Sequence, residues 1–161
     1  MTADNTSVAD WDRGTRELHA RLLEAWDKRN ARDFALLFAS DGILVGFDGS
    51  QVNGQLEVGA HLTEIFSHHQ TPGYVSIVRE VRSLAPDVAL LRANTGLIPP
   101  GKDDIDPALN AVQSMVAVRK GAAWRIALFQ NTPAAFHERP DAVKKLTEEL
   151  RAKLREKSVS K

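Results

Sequence analysis

Three groups of side chains in this sequence are of a type that does chemistry. The first is Asp41, set where a helical pattern hands over to a strand. A carboxylate held at an apolar rim titrates high and can take a proton from the carbon beside a carbonyl. The same residue type also serves such junctions simply by accepting backbone N–H bonds. The second group is four amides, Asn94, Gln113, Gln130 and Asn131, all on segments that read as strands. Amides at a mostly apolar cavity mouth orient a ligand carbonyl or hydroxyl, and they tie down strand ends equally well. The third group is histidine. His61, Glu64 and His68 fall at helical spacing, on one side of a helix. Two imidazoles and a carboxylate suit non-haem iron. That side flanks the apolar face of Leu62, Ile65 and Phe66 and is expected to meet solvent, so no metal is assigned. His69 points with Leu62 and Ile65, which makes it the histidine expected to reach the interior.

Composition removes several classes of function. The 161 residues suit one domain able to bury a core, and acids and bases cancel to a net charge of zero. No long-range field therefore favours nucleic acid or an anionic membrane. Cysteine is absent, which excludes thiol catalysis, disulfides and thiolate metal sites. The N-terminus lacks the apolar run of a signal peptide, and no stretch approaches the ~18 apolar residues of a spanning helix. The chain reads as soluble and cytoplasmic. Glycines 42, 46 and 49 do not make a dinucleotide fingerprint and there is no phosphate loop, so no cofactor is assigned.

These candidates need elements to hold them. Residues 1–6 read as a loose terminus, and Ser7 as a helix cap with Asp10 three positions on. Trp11, Thr15, Leu18, Leu22, Ala25 and Trp26 recur at helical spacing to about Arg29. Gly14 weakens that helix by up to ~1 kcal/mol relative to Ala. Asn30 stops it and caps a second helix, Asp33 to Ala39. A strand, Ile43 to Phe47, turns at Asp48-Gly49 and returns through 50–52. A third helix runs from Gln55 to about His69. Strands follow at 74–84 and 87–98, then a Pro- and Asp-rich loop at 99–107 that is either a lid or a rigid connector.

Residues 110–133 read as a hairpin of two long strands around Lys120-Gly121-Ala122-Ala123. Trp124, Ile126 and Leu128 are expected on one face, with Ala127 and Phe129 on the other. A strand apolar on both faces is covered on both. The helices supply one cover, so a second copy of the chain is the expected other. A last amphipathic helix spans about Pro140 to Lys157, with Glu149 placed to pair with Lys153. Helices before a run of antiparallel strands argue an α+β fold. Residues 7–138 form the main domain and 139–161 the terminal helix.

The element order, with Leu37-Phe38-Ala39-Ser40-Asp41 leading into a strand, resembles the nuclear-transport-factor-like cone of the SnoaL-like superfamily. Segments 98–114 and 124–133, the latter Trp-Arg-Ile-Ala-Leu-Phe-Gln-Asn-Thr-Pro, are similar to the SgcJ/EcaC group. Members of that group are often labelled oxidoreductases and are associated with polyketide or enediyne pathways. The resemblance implies a curved sheet wrapping the long helix, a pocket at the open end of the cone with Asp41 near it, and a dimer through the outer face of the sheet. Activity does not follow, because one scaffold hosts isomerases, cyclases, hydratases and binders. The ketosteroid isomerase arrangement, an Asp base facing a Tyr and a protonated Asp, is not matched: the one tyrosine, Tyr74, opens a strand, and no second buried Asp is apparent.

The resulting expectation is a pocket protein for a small, largely apolar, polyketide-like or aromatic ligand. Trp26, Phe38, Phe66 and Phe129 would form walls, and Asn94, Gln113, Gln130 and Asn131 the polar contacts. The alternative is a cofactor-independent isomerase, cyclase or hydratase with Asp41 as base, assisted by His69. A third reading is a dimerisation module whose cone is filled by its own side chains.

Overall fold

The computed structural model describes residues 2–159. Helix α1 (Thr2–Asp27) is followed by α2 (Ala31–Leu36), β1 (Phe38–Val45), β2 (Gln51–Asn53) and α3 (Gln55–His68). Four long strands follow: β3 (Gly73–Ala85), β4 (Val88–Ile98), β5 (Ala111–Lys120) and β6 (Ala123–Pro133). Helix α4 (Pro140–Val159) closes the described chain. With no Pro or Gly between residues 2 and 13, α1 runs through Ser7, so Thr2–Thr6 are helical and Ser7 is no cap. Met1 of the expected loose terminus and residues 160–161 of the expected terminal helix lie outside the described residues.

The strands form one sheet in the order β2-β1-β6-β5-β4-β3. All pairings are antiparallel except β1 with β6, which is parallel. Asn30 caps α2 as expected, its Oδ1 accepting the Asp33 N–H at 2.9 Å. That helix ends three residues before the expected Ala39, because Phe38 already belongs to the sheet. The Ile126 N–H donates to the Leu37 carbonyl at 2.9 Å, fixing the switch from helix to strand.

The main core lies between the helices and one face of the sheet. Leu18, Leu22 and Ala25 of α1 meet Leu62 of α3 over Leu91, Met115 and Ile126. Phe129 joins them, and Leu128 does not. A register shift between Val116 and Ala117 sets Ile126 opposite Ala117 and Leu128 opposite Val116. The extra residue, Ala127, is a β-bulge that resets the alternation, so Leu128 turns to the outer face instead of following Ile126.

The outer face is covered in part by the chain itself. Leu146 and Leu150 of α4 pack on Val75 and on Ile105 of the 99–107 loop. Gly96 leaves room for this: a Cβ there would stand 3.2 Å from Leu150 Cδ1 and 3.1 Å from Ile105 Cγ2. Arg151 Nε donates to Asp104 at 3.0 Å, and Asn110 Nδ2 to Thr147 at 2.9 Å. The loop is thereby a pinned connector. Glu149 pairs with Arg79 on β3 and not with Lys153. Beyond α4, a cross-strand row of Leu90, Val116, Leu128 and Ile43 remains half-buried. Among the described residues no helix is long and apolar enough to cross a membrane.

Candidate functional site

Two helices and the curled sheet leave a cavity of about 430 Å³ at the wide end of the cone. Leu22, Leu23 and Trp26 of α1, Leu62 and Ile65 of α3, and Phe129 of β6 contribute its apolar walls. The Trp26 indole is fixed from behind. Its Nε1–H donates to the Pro72 carbonyl at 2.8 Å, and Phe66 meets the ring edge-on at 5.4 Å. An apolar chamber of this size with few polar groups is the ordinary form of a small-molecule site.

Of the polar side chains that line the chamber, two are buried, Tyr74 and Asn131. Asn131 Nδ2 donates to the Tyr74 hydroxyl at 3.4 Å. Behind them Gln113 is fully buried, and its Nε2 donates to Asn131 Oδ1 at 3.4 Å. Gln113 Oε1 in turn lies 2.8 Å from Nε2 of His19, which is 2 % exposed beneath α1. Gln113 and Asn131 sit directly opposite each other on β5 and β6, which brings the two amides together. Burial lowers the pKa of His19, partly offset by its bond to Gln113, so the ring is neutral near pH 7. Burial and the charge of Asp27 push the Tyr74 phenol well above its ordinary value. The phenol is therefore a permanent O–H group.

The mouth is polar. Asp48, His61 and His69 border it. The Asp48 carboxylate accepts the Ser50 N–H at 2.9 Å, which holds its pKa below the usual range and keeps it charged. His61 is half-buried at the mouth, not turned to solvent with its helical neighbours; His68 instead pairs with Glu64 at 3.2 Å on the exposed side. His69 ends α3 in extended backbone and reaches the rim from there. No metal-binding cluster of His, Cys, Asp or Glu occurs among the described residues.

Several expected site residues lie elsewhere. Asp41 is exposed on β1 and does not line the cavity. Its neighbour Gly42 is pressed against the Ile126 carbonyl, so Asp41 is carried outward in the irregular stretch between Phe38 and Ile43. Phe38 is fully buried, stacked on Phe34 at 5.8 Å behind the wall, and Phe66 stands behind Trp26. Asn94 and Gln130 point to the outer face by strand alternation. Asn94 accepts from Arg79 Nε at 2.8 Å, and Gln130 is exposed beside Thr132. Gln113 reaches the site only through Asn131. The residue missed is Tyr74. Its pairing with Leu97 puts it on the inner face, and that register is invisible in its local sequence.

A second depression, of about 690 Å³, runs along the β3 edge between α1 and α4. Arg16, Glu24, Lys153 and Lys157 line it, a charged surface groove quite unlike the apolar chamber. His19 and Tyr74 border it from inside, and Asp27 accepts the Tyr74 backbone N–H at 3.0 Å.

No family model and no curated protein matches this chain. Solved structures do. A protein of unknown function with a cystatin-like fold from Nostoc punctiforme PCC 73102 superposes with a TM-score of 0.74 at 19% identity, covering 93% of this chain and 95% of that one. A ketosteroid isomerase-like protein from Erwinia carotovora atroseptica SCRI1043 gives 0.61 at 15% identity, over 78% and 96%. An NTF-2-like protein of unknown function from Shewanella oneidensis MR-1 gives 0.62 at 14% identity, over 75% and 98%. At these identities the likeness is one of architecture. The chain has the NTF2-like, cystatin-like α+β fold, with N-terminal helices on a curved six-stranded sheet and a helix at its C-terminus.

Proposed function

We propose that this protein is a small-molecule pocket protein of the SnoaL-like, SgcJ/EcaC type, holding a small, largely apolar, polyketide-like or aromatic ligand in its cone. The observation that carries this reading is the chamber of about 430 Å³ with apolar walls, a buried polar pair at Tyr74 and Asn131 and polar side chains at its mouth. A cone filled by its own side chains would leave no such space, which counts against a purely structural module. The protein works as a homodimer through the outer face of the sheet. The half-buried row of Leu90, Val116, Leu128 and Ile43 that α4 leaves uncovered supports this.

Catalysis is the second reading, favoured by His61 and His69 at the mouth and by the ketosteroid isomerase-like neighbour. In it, a rim histidine and not Asp41 moves the proton.

Native mass spectrometry of the freshly purified protein tests the first reading. The expected species is a dimer that carries, or takes up, a few hundred daltons of apolar compound (order of magnitude for a chamber of this size). Leu109→Trp, which fills the chamber from its half-buried wall, should abolish uptake and leave the dimer intact. Leu128→Arg should give monomers. Uptake unaffected by Leu109→Trp would place the ligand elsewhere.

A further inference from the structure

The four buried polar groups behind the chamber form one chain with a direction. His19, Gln113, Asn131 and Tyr74 come from α1, β5, β6 and β3, and each is bonded to the next. All four are less than a tenth exposed, and only the last two reach the chamber. Buried amides link in one of two senses, every N–H pointing toward the phenol or every N–H pointing away from it.

The placement of the amide atoms decides between them. Asn131 turns its Nδ2 to the Tyr74 oxygen and its Oδ1 to Gln113 Nε2, and Gln113 turns its Oε1 to His19. Every N–H therefore points toward the phenol. The arrangement requires His19 Nε2 to carry a proton and donate it in a hydrogen bond to Gln113 Oε1, which has none of its own, across 2.8 Å.

We infer that His19 fixes this direction from outside the chamber, so that the Tyr74 O–H is left free to donate to a ligand and the chamber selects molecules bearing a hydrogen-bond acceptor, such as a carbonyl, at that wall. The inference rests on the pocket reading above and narrows its ligand class. Tyr74 is then the binding residue and His19 a positioning residue, acting through two amides. An acceptor-free ligand leaves the phenol proton unpaired in an apolar chamber, and a donor-only ligand meets another donor.

A matched pair of probes tests it: 2-acetylnaphthalene, and 2-isopropenylnaphthalene, in which CH₂ replaces the carbonyl oxygen. The ketone should bind about tenfold more tightly, the value of one well-made hydrogen bond in a dry site. Tyr74→Phe should bring the two affinities together without weakening the alkene. His19→Leu should shrink the preference several-fold, as Gln113 becomes free to turn. Equal binding of both probes to the natural protein would overturn the inference and leave the pocket reading standing. Binding of neither would overturn both. Independently of any ligand, ¹⁵N NMR should show His19 as the Nε2–H tautomer; finding Nδ1–H would reverse the chain and sink the inference alone.

Discussion

The indole of Trp124 lies across the backbone of Gly14: a methyl group built there would stand 2.5 Å from Trp124 Cδ1 and 2.8 Å from Nε1. Glycine in the middle of a long helix is otherwise a weak point, and its replacement by alanine ordinarily gains up to ~1 kcal/mol. Here overpacking a rigid ring opposes that gain and costs typically ~1–3 kcal/mol. Gly14→Ala should lower the urea midpoint by a net loss of about 1 kcal/mol or more. Paired with Trp124→Leu, the same change should become neutral or favourable relative to Trp124→Leu alone, since the clashing atoms are gone.

Acid should destabilise the protein through His19. Its folded pKa lies below the ordinary value of about 6.5, so as pH falls through that value the unfolded chain takes up a proton and the folded chain does not. Stability is lost over that window until the lower, folded pKa is reached. Asp27 works in the opposite sense and lower down. Burial raises its pKa, so its contribution improves as pH falls through the carboxylate range, and its exposure keeps the effect small. Urea unfolding at about pH 7.5 and about pH 5.5 should show the loss in the natural protein and a clearly smaller one in His19→Gln.

The clasp made by α4 is open to a direct test. Leu150 is fully buried over Gly96, Val75 and Ile105. Leu150→Ala should cost about 2–5 kcal/mol, the usual range for a large-to-small change in a packed core. Brief proteolysis should then cut the 99–107 loop first, because Ile105 loses its cover. Cutting at α3 instead would show that the loop does not depend on the helix.

Asp41 should be dispensable. Being exposed and away from the chamber, Asp41→Asn should change stability by no more than about 0.5 kcal/mol and leave 2-acetylnaphthalene affinity within about twofold. Asn131→Leu should weaken the ketone several-fold and cost about 1–3 kcal/mol in stability, as Gln113 and Tyr74 lose their shared partner. A large loss of binding in Asp41→Asn would reinstate it as a site residue.

What could be read in the sequence followed from local rules. The β5–β6 hairpin is marked by Gly121, whose φ of 64° suits a tight turn, and α3 by its 3.6-residue period. What could not be read depended on pairing between distant segments. Nothing near Ala127 announces the bulge that exchanges the faces of Leu128 and Phe129, since an inserted residue shows only against its partner strand. Phe38 looked like the end of a helix because its commitment to the sheet comes from Ile126. Trp26, Phe129 and Asn131 line the cavity, whereas Asn94 and Gln130 differ from Asn131 only in which way their strand turns them.

The parallel pairing of β1 with β6 carries a consequence for how the chain is made. Residues 38–45 leave the ribosome well before residues 123–133, yet among the described residues their sheet partner, apart from the short return strand β2, is β6. Until β6 exists, α1, α2 and α3 have no finished surface on which to bury Leu22, Phe34 and Leu62. The nascent N-terminal half must therefore wait with these side chains uncovered, and the cone closes in one late, long-range step. Chaperone dependence during translation, more than the stability of the finished fold, should set how much of this protein a cell recovers.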